Sequence, residues 1–111
     1  IKEKILPANH PDLASIYNNI AIAYFYLTAY KKALVYQEKC LAIREEILPF
    51  NHPSLGTIYM NIAITYLNLN QFTKALYYIE KAIAIYEKLP AYAKVDYQNA
   101  LEIREIIKNN M

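Results

Sequence analysis

The sequence predicts an all-α fold made of a tandem repeat of helix pairs, and three observations carry that reading. Apolar residues make up 56% of the 111-residue chain, with one Gly and five Pro, a balance that suits long helices and excludes a disordered composition. Residues 6–47 laid on residues 48–89, an offset of 42, give 23 identities. Within each copy, apolar residues recur at i, i+3, i+4 and i+7, the spacing that gathers them on one helical face.

The helices follow in order. In the first, expected over 12–28, the core stripe is Leu13, Ile16, Tyr17, Ile20, Ala21, Tyr24 and Leu27. In the second, over 30–48, it is Ala33, Leu34, Cys40, Leu41, Ile47 and Leu48, with Lys32, Lys39, Arg44 and Glu45 largely off the stripe. The third, over 54–70, repeats the first with Tyr59, Asn61, Ile62, Ala63 and Tyr66. The fourth, over 72–88, carries Ala75, Leu76, Ile79, Ala82, Ile83 and Tyr86. A fifth, over 91–108, contains Gln98-Asn99-Ala100-Leu101-Glu102-Ile103-Arg104-Glu105, which matches 38–45 better than it matches a first helix, and reads as a terminal cover. Ile1–Leu6 reads as the tail of a preceding second helix.

The breaks agree with this pattern. Asn9-His10-Pro11 and Asn51-His52-Pro53 put Pro in a first helical turn, where its missing N–H costs nothing, and Pro7 and Pro49 close the helices before them. Asn70 can take the left-handed conformation of a helix terminus, whereas Thr28 at the same register is a poorer choice, so strain is expected in the first turn. The expected organisation is one domain over 1–111: a helix tail and linker at 1–8, repeats at 9–50 and 51–90, and a capping helix at 91–111.

These residues resemble the tetratricopeptide repeat. The family's large aromatic is Tyr17 and Tyr59, its Leu is Ile20 and Ile62, its small residue is Ala21 and Ala63, and its second aromatic is Tyr24 and Tyr66. The small positions of the second helix are Ala33 and Ala75, then Cys40 and Ala82. The 42-residue period and the Asn-His-Pro linker look most like the long-period repeats of kinesin light chains. Two features depart from the pattern: Gln37 and Ile79 replace the second helix's aromatic, with Tyr36 and Tyr78 next door, and the closing Pro is displaced to Pro49 and Pro90. The resemblance implies an α-solenoid, a right-handed superhelix whose concave wall is made by the first helices of each pair, and a protein-binding role without catalysis.

The candidate groove residues are those of the first helices that lie off the core stripe: Asn18, Asn19, Ile22, Phe25 and Tyr26, then Met60, Asn61, Ile64, Leu67 and Asn68. Asn19 and Asn61 recur at one register, and a carboxamide offers both donor and acceptor to an extended peptide backbone. Each Asn could equally bond a neighbouring helix, and some of the apolar residues could pack against the next repeat. The Lys and Arg of a carboxylate clamp are missing, since Ser15, Asn18, Thr57 and Met60 hold those places. The apolar and aromatic stripe suits an extended protein or peptide segment with large side chains, and the resemblance to kinesin light chains implies an aromatic-acidic one. The alternative is a structural spacer, or a segment that self-associates into homo-oligomers through apolar repeat ends.

Other functions find little support. Twelve Lys and Arg against ten Asp and Glu are interspersed, with a formal charge of +2, which argues against nucleic acid and anionic membrane. The lysines along the second helices read as a solvated face pairing with interleaved glutamates. Cys40, the single cysteine, sits at a packing position and reads as a buried, inert thiol in a reducing, cytoplasmic setting. His10 and His52 lack companions at ligand spacing, so no metal or other cofactor is expected. No Ser/His/acid set or Gly-rich phosphate loop occurs, which argues against an enzyme.

Overall fold

The computed structural model describes residues 11–89 and 94–111. Five helices follow one another: α1 Pro11–Tyr26, α2 Tyr30–Ile47, α3 Pro53–Asn68, α4 Phe72–Glu87 and α5 Lys94–Asn109. Each expected helix is present, with ends displaced by at most three residues; the expected helix tail at 1–6 and the first residues of the cover helix lie outside the described residues. No strand occurs among the described residues.

The chain divides into two compact units, residues 1–49 and 50–111. In the first, α1 packs on α2; in the second, α3 packs on α4, and α5 lies against α4 with a lesser contact to α3. The pairs are antiparallel, because their contacts run in opposite directions along the two helices. Ser15 meets Arg44, Tyr17 meets Lys39 and Tyr24 meets Lys32. The second unit repeats the order with Thr57 on Tyr86, Tyr59 on Lys81 and Tyr66 on Lys74.

The turns within the pairs are equal in detail. Thr28 and Asn70 have φ of 59° and 61°. In each turn the residue after it donates to the third-last helical carbonyl, Ala29 to Tyr24 and Gln71 to Tyr66, both at 2.9 Å. Thr28 itself donates to Phe25 and Asn70 to Leu67, so two otherwise orphaned carbonyls of each helix are satisfied. At the other end of α3, His52 is the N-cap: its Nδ1 accepts from the Ser54 amide at 3.0 Å, with Pro53 in the first turn.

The core holds most of the expected stripe of the second unit: Tyr59, Ile62, Ala63, Tyr66, Ala75, Ile79, Ala82, Ile83 and Tyr86 are buried. The first unit departs from expectation. Ile16 is 46% exposed, Leu27 and Ile47 are also exposed, and Ala14 and Gln37, which were not on the expected stripes, are buried. Ile58, the residue in the register of Ile16, is 7% exposed. Periodicity marks a face as apolar; a second neighbouring helix must be present to cover it, and α3 has both α4 and α5 beside it within its own unit.

The single glycine is a close-approach site. A Cβ on Gly56 would stand 3.0 Å from Cε1 and Cζ of Tyr86, so the missing side chain lets that ring lie against the α3 backbone.

Candidate functional site

Two surfaces of the helix pairs carry chemistry, and the first is the predicted stripe. Along α1, Asn18, Asn19, Ile22, Phe25 and Tyr26 follow steps of one, three, three and one residues and so share one face. Asn19, Ile22 and Tyr26 are exposed, while Asn18 and Phe25 are half-buried. Phe25 is held edge-on between Tyr26, at 6.3 Å between ring centres, and Tyr30, at 5.2 Å. Along α3, Met60, Asn61, Ile64 and Leu67 are half-buried and Asn68 is exposed. The Asn68 amide donates to the Ile64 carbonyl at 2.9 Å, so one of its donors is already used on its own helix. The Asn61 carbonyl accepts a second bond, from Thr65 Oγ1 at 3.0 Å. Neither stripe carries a Lys or Arg.

The second surface is a ladder of tyrosines and lysines that the sequence pattern alone did not assemble. Tyr36 stacks on Tyr24 at 5.8 Å and tilts against Tyr17 at 5.9 Å; Tyr78 does the same with Tyr66 at 5.7 Å and Tyr59 at 6.1 Å. Thus Tyr36 and Tyr78 supply the aromatic packing whose usual place is held by Gln37 and Ile79. Lysines finish each ladder. Lys32 lies over Tyr24 and Lys39 over Tyr17, at 5.6 and 5.7 Å from the ring centres; Lys74 lies over Tyr66 and Lys81 over Tyr59, at 5.6 and 5.1 Å. Each such contact contributes on the order of 0.5–1 kcal/mol at an exposed site. Lys32, Lys39 and Lys74 are exposed, as the solvated-face expectation has it, and Lys81 is half-buried; in addition, the ammonium groups lie over tyrosine rings. The signal was present, because every Lys and Tyr involved recurs at an offset of 42.

The ionisable groups in the packed regions are inert. Burial pushes the Cys40 thiol up, with the nearby Arg44 charge pulling the other way, so the thiolate that a nucleophile requires is disfavoured. Burial likewise raises the Tyr86 phenol, opposed by its hydrogen bond with Thr57 and assisted by the Asp96 charge. His52 uses its ring nitrogen as a helix cap, and His10 lies outside the described residues. Among the described residues no group of three His, Cys, Asp or Glu could hold a metal, and no helix is long and apolar enough to cross a membrane.

The comparisons with known proteins agree with this geometry. The tetratricopeptide repeat profile matches residues 12–88. A Podosopora anserina protein described as a kinesin light chain with nearly identical TPR-like repeats has a similar structure, with a TM-score of 0.67, 22% identity, and coverage of 95% of this chain and 58% of that one. A single-substitution form of that protein gives a TM-score of 0.68, again at 22% identity, covering 95% and 57%. BtubC (BKLC) from P. vanneervenii gives 0.71 at 19% identity, covering 93% and 48%. The chain thus spans about half to three-fifths of the length of these structures. No curated protein matches the sequence. With a family profile spanning both helix pairs and the paired helices themselves in place, the chain belongs to the tetratricopeptide repeat family.

Proposed function

We propose that each repeat of this chain binds an extended protein segment along its own first helix, the α1 stripe in one unit and the α3 stripe in the other, with the donor and acceptor of Asn19 or Asn61 meeting the peptide backbone and the apolar residues around it receiving its side chains. Repeats of this family are scaffolds for protein interaction and not catalysts. The observation that carries the finer reading is that both stripes lie off the core at the same register: Asn19, Ile22 and Tyr26 on α1 are exposed, and Asn61, Ile64 and Leu67 on α3 are half-open. A carboxamide at a repeating register suits a backbone that itself repeats donors and acceptors, and Ile22, Phe25, Ile64 and Leu67 offer apolar surface for large side chains. Asn18 and Met60 differ between the repeats and would set preference for particular side chains.

The test is a fluorescence-polarisation screen of tagged aromatic-acidic peptides against the wild type and an Asn19→Ala/Asn61→Ala variant. Losing two hydrogen bonds of about 1 kcal/mol each predicts a roughly 30-fold weaker complex with unchanged helicity. Absence of binding by the wild type, or equal affinity in the variant, would count against the reading.

A further inference from the structure

The face of α4 turned away from its buried residues sorts its charges by sign. Lys74, Lys81 and Lys88 recur every seven residues, Lys88 as the C-cap, and Thr73, Glu80 and Glu87 stand one position before each. A seven-residue step returns to almost the same side of a helix, so the lysines form one column and the glutamates another. Tyr77 and Ala84, also seven apart, lie between the columns. The columns have different neighbours: Lys74 and Lys81 lie on Tyr66 and Tyr59 of α3, whereas Glu80 meets Arg104 of α5 at 3.3 Å. Thr73, Tyr77, Glu80 and Ala84 are exposed, and with Leu76 and Lys81 they line an open groove of about 480 Å³.

The second helix of the first repeat has the same frame with its columns mixed. Lys31 heads its acidic column where α4 has Thr73, and Glu46 ends its basic column where α4 has Lys88. Both differences rid α4 of a charge of the wrong sign, and Tyr77 in place of Val35 enlarges the strip between the columns. Along α4 no Lys stands three or four residues from a Glu, so the two columns do not neutralise each other within the helix. Each column is complementary to the other column of an identical face.

Self-complementarity also decides the orientation. Two α4 helices side by side and parallel, related by a two-fold along their length, set the lysine column of each against the glutamate column of the other; an antiparallel pair sets like against like. In the parallel register Lys81 meets Glu80 of the second copy and Lys88 meets its Glu87, each pair occurring twice by symmetry. Tyr77 lies on its own counterpart, and the small Ala84 lets the helices close. The charges are already positioned: Lys81 is half-buried over Tyr59 and Tyr77, at 5.1 and 5.3 Å, and Arg104 holds Glu80, so little side-chain freedom remains to be lost on docking.

We infer that this face of α4 is a self-association surface, on which a second copy of the chain docks in parallel to form a two-fold dimer. It is distinct from the α1 and α3 stripes and from the apolar repeat ends.

Sedimentation velocity of the 111-residue chain over a wide concentration range tests this. One helix per copy lies at the low end of interface sizes, so a monomer–dimer equilibrium with dissociation on the order of 100 µM is expected. It should weaken severalfold as NaCl rises from about 50 to about 500 mM. Lys81→Glu/Lys88→Glu makes both columns acidic and Glu80→Lys/Glu87→Lys makes both basic, so each variant alone should dimerise at least about tenfold more weakly, while an equimolar mixture should recover a dimer with one copy of each. Circular dichroism checks that both variants fold. Lys88→Glu alone, the first repeat's residue at an exposed position, should weaken the dimer severalfold without touching the ladder. In a Cys40→Ala background, Ala84→Cys should form a disulfide between copies under a mild oxidant, because the parallel register brings this position to its counterpart. A strict monomer at every concentration would overturn the proposal. So would a dimer indifferent to salt and to the charge variants, which would place the contact at the apolar repeat ends. A disulfide that forms between Tyr77→Cys and Ala84→Cys chains in preference to either alone would mark an antiparallel pair and overturn it too.

Discussion

At the scale of single residues, the left-handed positions show how much a repeat can tolerate. Thr28 and Asn70 have the same φ within a few degrees and make the same pair of backbone bonds, yet a β-branched residue suffers a steric cost there that Asn largely avoids. The Thr28 hydroxyl donates to the Leu27 carbonyl at 2.6 Å, which offsets part of the cost but does not relieve the crowding at Cβ. Thr28 is exposed, so replacing it removes no core contact. Thr28→Asn should therefore stabilise the protein by about 0.5–1 kcal/mol in urea unfolding, and Asn70→Thr should destabilise it by a similar amount. A destabilising Thr28→Asn would show that the hydroxyl bond outweighs the strain. The contrast between Thr28 and Asn70 was legible in the sequence. The role of His52 was not, because a histidine in a linker gives no sign of whether its ring nitrogen will face a helix amide.

At the scale of elements, the α3–α4 contact depends on a missing side chain. In the first repeat Ala14 is fully buried and Arg44 occupies the register of Tyr86; in the second, Gly56 leaves space that the Tyr86 ring fills. Ala would improve the intrinsic helix propensity of α3 by about 1 kcal/mol, but it would press a Cβ onto a buried ring fixed by its hydrogen bond to Thr57. Overpacking of this kind costs typically about 1–3 kcal/mol. Gly56→Ala should therefore destabilise the wild type by about 1 kcal/mol, and in a Tyr86→Leu background its effect should shrink or change sign. Equal effects in the two backgrounds would show that the ring moves aside without cost. The sequence put Gly56 and Tyr86 on facing helices, but only the packed structure showed that the two residues exchange volume.

At the scale of the whole molecule, each unit holds a buried group that resists ionising: Cys40 in the first and Tyr86 in the second. Both are raised above their ordinary values, so the unfolded chain releases these protons first as the pH climbs. Their contribution to stability is complete below the ordinary thiol and phenol ranges and is lost through and above them. Urea midpoints should thus hold steady near neutrality and fall from about pH 9 upward. Cys40→Ala, which places the second repeat's residue at that register, should flatten the first part of the fall, and Tyr86→Phe the later part; midpoints that fall identically in both variants would refute the assignment. By itself the sequence determined the helices, the turns, the 42-residue repeat and the apolar stripes, because each is written in local spacing and in the match of one copy to the other. Only the tertiary structure decided that Ile16 is open where Ile58 is covered, that lysines lie on tyrosine rings, and that Arg104 meets Glu80. Those outcomes depend on which helix becomes the neighbour of which face, and a local period carries no record of its neighbours.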